Sequence, residues 1–314
     1  MSDEVRSDPA PEEEDSPRGG TVARFFLLPL LVVGTAVLIF LVFNYITFDR
    51  RSAADYLQEV RGGTANRRWQ AAFELSRTVG RLPPGPERDA LGAETLRVFE
   101  SLSGNRPEDV PVRRYLVLVL GKLADRAAAP ALTAAARDPD PETRLYAVWA
   151  LGMLGDRSAT ETVLESSLSE DAGARKMAAY VLGRLNDPRA IPRLKVLLED
   201  SVADVRWNAA IALASLKDRA GLPVLRAMID RASLERQATL TSDQREAAMV
   251  NALKALALVP DPETLPAIEK VAREDPNLRV REQARKAAEA VRAAAPRAPS
   301  SSRNLERRGA LLIV

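Results

Sequence analysis

The 314-residue chain contains no cysteine and no histidine. Without cysteine there are no disulfides, no zinc–thiolate sites and no thiol nucleophile. Without histidine it lacks the commonest general base and the commonest transition-metal ligand. Aromatic residues are scarce at 5%. Neither sign of charge dominates, since 45 Lys and Arg stand against 43 Asp and Glu, and no overall field points to nucleic acid. No Gly-rich phosphate loop, metal-ligand cluster or nucleophile–base pair stands out, so the reading is of a non-enzyme with no cofactor and no metal. What the chain has in abundance is Ala, Leu, Arg and Glu, a helix-forming composition.

One long apolar run is present. From Phe25 to Phe48, 24 residues carry no charge, and as a helix they span about 36 Å, against roughly 30 Å for a hydrocarbon core. The run is longer than a signal-peptide core and is followed at once by Asp49-Arg50-Arg51, which favours an uncleaved single-pass anchor. Arg6, Arg18 and Arg24 precede the run, and Arg50, Arg51, Arg61, Arg67 and Arg68 follow it. That asymmetry puts the C-terminal side on the cytoplasmic face of a membrane, a bacterial inner membrane in this reading.

The strongest signal is internal repetition. Arg113, Arg144, Arg175 and Arg206 recur every 31 residues, and so do Asp125, Asp156, Asp187 and Asp218. Between them the blocks RRYLVLVLGKLAD, RLYAVWALGMLGD, RKMAAYVLGRLND and RWNAAIALASLKD share apolar positions at offsets three, seven and ten from the arginine. Those offsets fall on one helical face. Glycine at offset eight (Gly121, Gly152, Gly183) suits close approach of neighbouring helices, and the recurrent Asp is read as the helix end. Pro130, Pro192 and Pro223 suit the first turn of the next helix. A period of this length is the signature of an α-solenoid. After Asp230 the register breaks: RASLERQATLTSDQ is inserted, and Glu246 is read in place of the leading Arg.

This pattern resembles the HEAT repeat, in the bacterial HEAT-like form also found in phycobilin lyases. The fold class expected is therefore all-α, one N-terminal transmembrane helix followed by a solenoid of HEAT-like helix pairs. The expected organisation is an acidic disordered tail at 1–24, the transmembrane helix at 25–48, about seven helix pairs at 49–292 (clearest at 111–230) and a flexible tail at 293–314. That last tail ends in Gly309-Ala-Leu-Leu-Ile-Val314 and reads either as free chain or as a short apolar docking peptide. The resemblance implies a structural role for the repeated Arg and Asp columns as a ladder tying adjacent units.

Offsets two and five lie opposite the core face of the repeated helix. They carry Tyr115, Tyr146, Met177 and Asn208, and Leu118, Trp149, Tyr180 and Ile211. Such side chains either pack between neighbouring repeats or form an exposed strip of the residue types that dominate binding hot spots. The candidate partner groove is Tyr115, Tyr146, Trp149, Met153, Met177, Tyr180 and Ile211. The function expected is a membrane-tethered scaffold or adaptor that binds a protein or peptide partner in that groove. The alternatives are an accessory subunit of a multi-subunit membrane complex and, further off, a lyase-like enzyme.

Overall fold

The computed structural model describes residues 18–47, 51–102, 106–237 and 239–294. The expected tails at 1–24 and 293–314 therefore fall largely, at 1–17 and 295–314, outside the described residues. The chain divides into two units, Met1–Ser52 and Ala53–Val314.

The first unit contains helix α1 (Arg18–Thr47), interrupted in sequence by Pro29. Its described side chains run from 29 to 43 and all are exposed. That stretch covers about 22 Å of helix axis, less than the roughly 30 Å of a hydrocarbon core. Among the described residues no helix is long and apolar enough to cross a membrane. The transmembrane helix at Phe25–Phe48 is corrected accordingly. The membrane partner, the tether, the inner-membrane localisation and the cytoplasmic-face orientation rested on that helix and fall with it.

The second unit is entirely helical among the described residues. Seven helix pairs follow one another: α2 (Ala53–Gly62) with α3 (Ala65–Thr78), α4 (Pro86–Ser101) with α5 (Val110–Leu123), and α6 (Ala129–Ala135) with α7 (Pro141–Leu154). They continue with α8 (Thr160–Ser166) and α9 (Ala172–Leu185), then α10 (Ile191–Leu197) and α11 (Ala203–Ser215). In the sixth pair α12 (Leu222–Ile229) and α14 (Ser242–Leu258) are separated by the short α13 (Arg231–Glu235), and α15 (Leu265–Glu274) with α16 (Leu278–Ala294) is the seventh. The second helices of successive pairs, α3, α5, α7, α9, α11, α14 and α16, stack on one another in a continuous layer. This arrangement is a HEAT-like α-solenoid.

The repeat explains the packing. Leu116, Leu120, Leu151, Leu182 and Leu213 are fully buried, with Ala147, Ala178 and Ala209 between them. Alanine at offset three and glycine at offset eight bring the layer into close contact. A Cβ on Gly152 would stand 2.8 Å from a methyl of Val181, and one on Gly183 would stand 2.8 Å from the Cα of Ala212.

The helix ends differ in one detail from the sequence reading. The recurrent Asp does not close the helix. The residue before it does, because Ala124, Gly155, Asn186 and Lys217 all take the left-handed conformation, with φ between 50° and 67°. The Asp then caps the 3-10 turn that opens the next pair: Asp125, Asp156, Asp187 and Asp218 accept from the amides of Ala127, Ser158, Arg189 and Ala220. Pro130, Pro192 and Pro223 sit in the first turns of α6, α10 and α12, where no amide donor is needed.

Candidate functional site

Two columns of side chains run along the solenoid on different parts of each pair. The first is the arginine column at the start of the second helix. Arg144 Nη1 donates to the carbonyls of Asp138 and Pro139, both at 2.8 Å. Arg175 does the same to Ser169 (3.0 Å) and Glu170 (2.7 Å), and Arg206 to Asp200 (2.6 Å) and Ser201 (3.0 Å). Each arginine thus satisfies carbonyls left open at the turn between its pair's two helices.

The other edge of the guanidinium reaches the next pair. Arg113 Nε and Nη2 grip Asp138 at 3.1 and 3.2 Å, and Arg175 grips Asp200 at 2.7 and 3.1 Å. Both are two-point contacts of a planar fork on a carboxylate, the strongest geometry available to this pair. The contact with Arg175 also holds the Asp200 carboxyl below its ordinary range. Arg113 and Arg175 therefore tie adjacent units, but through Asp138 and Asp200. Asp125, Asp156, Asp187 and Asp218 lie at the other end of the helices and are not brought to the arginines. Asp187 accepts from Thr160 Oγ1 at 2.8 Å and from Arg189, and Asp218 pairs with Lys195 at 2.9 Å. After the insertion it is Arg245, not its neighbour Glu246, that takes the ladder position, with Nη1 2.8 Å from the Leu240 carbonyl. Glu246 instead accepts from Asn277 at 2.5 Å.

The second column faces away from the first helices of the pairs. Tyr115, Tyr146, Trp149, Met153, Met177 and Ile211 are half-buried, and Tyr180 is 43% exposed. At the N-terminal end, Tyr115 meets Phe73 edge-on at 5.2 Å, and the Arg77 guanidinium stands 5.6 Å above the Phe73 ring. Burial and the nearby Glu142 push the Tyr146 hydroxyl above its usual value. Beside it Arg114 closes on Asp140 at 2.6 and 2.7 Å. That bond, with the Thr143 amide and hydroxyl, holds the Asp140 carboxyl far below its usual range. Trp149 is a bridge as much as a surface: a Cβ on Gly121 of the preceding pair would touch its ring at 2.9 Å.

Further along the column widens into a cleft of about 370 Å³ between α9, α11 and α14. Met177, Tyr180 and Ile211 line it, joined by Trp207, Asn208, Leu240, Gln244 and Asn251. Tyr115, Tyr146, Trp149 and Met153 are not part of it. Trp207 stands one residue after the ladder arginine, an offset that holds Trp69 after Arg68 in the first pair but Arg114, Leu145 and Lys176 in the repeats between, so the echo is isolated and forms no column. Leu240 and Gln244 come from the inserted connection, which has no counterpart in the repeat. Lys176 and Asp204 pair at the rim, 3.2 Å apart. Among the described residues no group of three or more acidic, Cys or His side chains is placed to hold a metal ion.

A family model for HEAT repeats matches residues 102–179 and 162–242. No curated protein matches the chain. Among solved structures, a chain of the complex of CpcE and CpcF of phycocyanin lyase from Nostoc sp. PCC7120 is similar. It is 18% identical, with a TM-score of 0.51, and the match covers 77% of this chain and 95% of that one. The YibA protein of E. coli is similar at 15% identity and a TM-score of 0.51, over 76% of this chain and 82% of that one. These likenesses show the fold. They also correct the reading of the chain as a non-enzyme: the same architecture occurs in a phycocyanin lyase complex, so the solenoid fold does not exclude catalysis.

Proposed function

We propose that the chain is a protein-binding α-solenoid that receives a polypeptide segment of a partner in the cleft between α9, α11 and α14, as one subunit of a heteromeric assembly. The observation that carries this reading is the composition of the cleft. Tyr180 and Trp207 offer large amphipathic surfaces, Met177 and Ile211 an adaptable apolar floor. Asn208, Gln244 and Asn251 supply amides at its edge, and peptide groups of an extended chain are their natural complement. A solenoid face that met only water would not concentrate these residue types. The similar CpcE and CpcF chains are described as a complex, which is in keeping with a solenoid that works beside another protein.

The test is site-specific photo-crosslinking in cells. A benzophenone amino acid at position 180 or 251 should trap one discrete partner. The same probe at Val196, exposed on α10, should not. Equal trapping from both positions, or none from the cleft, would remove the cleft from consideration.

A further inference from the structure

Two of the four repeated arginines, Arg144 and Arg206, have no acid on their outer edge among the described residues. Positions 138, 169 and 200 are equivalent, one repeat apart, and hold Asp, Ser and Asp. Each closes its turn identically: Asp138 accepts the Asp140 amide at 2.9 Å, Ser169 the Asp171 amide at 3.2 Å, and Asp200 the Val202 amide at 2.9 Å. The two aspartates have a second task, as carboxylates for Arg113 and Arg175. A serine keeps the first task and cannot perform the second.

The arginine facing Ser169 is Arg144. Its Nη1 caps the turn as its counterparts do, yet among the described residues its Nε and Nη2 have no acceptor. Exposure follows the same division: Arg113 is buried, Arg175 half-buried and Arg144 exposed. The acids nearest in the pocket are engaged elsewhere, Glu142 with Arg114 (3.1 Å), Glu165 with Arg137 (2.6 Å) and Asp171 with the Ala174 amide (2.7 Å). In front of Arg144 lies a cleft of about 460 Å³, with Leu145 and Val148 on its wall. The turn that carries Ser169 also presents Leu168, 67% exposed.

We infer that Arg144 and Ser169 form a receptor for a carboxylate side chain, an Asp or Glu flanked by apolar residues, on a partner polypeptide. The partner's acid takes the place that Asp138 and Asp200 hold on the neighbouring rungs. An unused planar fork beside a small hydroxyl selects a carboxylate over an amide, because only the former accepts two charged donors at once. Leu145, Val148 and Leu168 supply the apolar contact that a free small acid would not use. Arg206 also lacks an acid, but the position facing it, one repeat on from Ser169 and Asp200, is Arg231, already paired with Asp275 at 2.8 and 2.9 Å, so no small hydroxyl stands there to admit a carboxylate. The site is on the turns and does not rest on the reading of the α9–α11–α14 cleft.

The experiment follows the Arg Nε–Hε NMR signal of Arg144 in the full chain, identified by its loss in Arg144→Lys. The probes are the peptide Ac-Ala-Leu-Asp-Leu-Ala-NH2, its Asn counterpart, and acetate. The Asp peptide should move the signal saturably, with the Asn peptide about tenfold weaker or more. In Ser169→Asp the signal should start at the bound position and ignore the peptide, and the urea midpoint should rise as the rung is filled from within. Asp and Asn peptides acting alike would overturn the inference. So would acetate matching the Asp peptide at equal concentration, which marks a site for free carboxylates only. A Ser169→Asp signal left at its free position would show that the vacant rung does not have the geometry of its neighbours.

Discussion

Gly152→Ala gives opposite signs depending on whether local helix preference or packing between pairs decides. Gly152 lies inside α7, where replacing glycine by alanine ordinarily stabilises a helix by about 0.8–1 kcal/mol. The new Cβ, however, would stand 2.8 and 3.0 Å from the two methyls of Val181 on α9, well inside van der Waals contact. Val181 is fully buried and has no free direction in which to turn. Overpacking of this kind costs about 1–3 kcal/mol. The net expectation is a loss of up to about 2 kcal/mol.

A second substitution separates the effects. Val181→Ala removes both clashing methyls and by itself costs about 2–3 kcal/mol, from roughly 0.8 kcal/mol per methyl and a cavity contribution. Combined with Gly152→Ala, the new methyl occupies the space vacated, so the double variant should be more stable than the sum of the two predicts, by about 1–3 kcal/mol. Urea denaturation of the three variants, compared at unchanged slope, measures this coupling. Gly183→Ala is the control: its Cβ meets the Cα of Ala212, backbone that no truncation removes, so no partner substitution should rescue it. Additive losses at 152 and 181, or a stabilised Gly152→Ala, would show that the two helices are not in the contact described here.

Three further outcomes follow from the same geometry. Ala124→Gly should stabilise the solenoid by about 0.5–1 kcal/mol, since Ala124 closes α5 at φ 55°, a conformation that carries a penalty for every residue with a Cβ; an unchanged or lower melting temperature would contradict it. Asp140 and Asp187, held below the ordinary carboxylate range by Arg114 and by Arg189, contribute stability above the unfolded pKa of about 3.9 that is lost as pH falls through the folded value. Acid titration of the urea midpoint should therefore be flatter below pH 4 in Asp140→Asn than in the wild type, and identical slopes would refute the pairing. Tyr180→Ala and Trp207→Ala should leave the melting temperature nearly unchanged while weakening capture of the cross-linked partner about thirtyfold each, and a large melting shift without a binding defect would make these residues packing elements.

The fold is legible wherever one side chain's task repeats with the chain's own period. Leu151, Leu182 and Leu213 must each fill the same space, so burial imposes the same residue at the same interval. The glycines at 121, 152 and 183 answer to the same spacing between helices. Contacts that cross the period leave no such mark. The acids of the ladder, Asp138 and Asp200, do keep the 31-residue spacing, but Ser169 between them breaks the column, and the aspartates that recur without a break serve turns at the opposite end of the helix. Leu240 and Gln244 reach the cleft through an insertion that occurs once. Trp207 occupies an offset that holds Trp69, Arg114, Leu145 and Lys176 elsewhere, so the residue type there does not keep the period. The uncharged run at 25–48 is a further case: its length is counted along the sequence, whereas only 29–43 of it has described side chains, and that portion is too short to span a bilayer.

This division between periodic and aperiodic residues also bears on where recognition can arise in a solenoid. A residue that keeps the period is held by the same neighbours in every pair and has little freedom to meet anything else. A departure frees whatever its predecessor had satisfied. Ser169 in place of Asp leaves a guanidinium edge open on Arg144, and Trp207, at an offset with no recurring residue, adds an apolar surface beside Tyr180. In both cases the fold tolerates the change because the retained function, turn closure by Ser169 and helix packing by Ala209 and Leu213, does not depend on the part that was lost. Restoring the period should therefore act on binding and stability in opposite directions. Ser169→Asp should hold or raise the denaturation midpoint while reducing contact with a partner. A restoration that lowers both would mean that the departures are part of the core rather than openings in it.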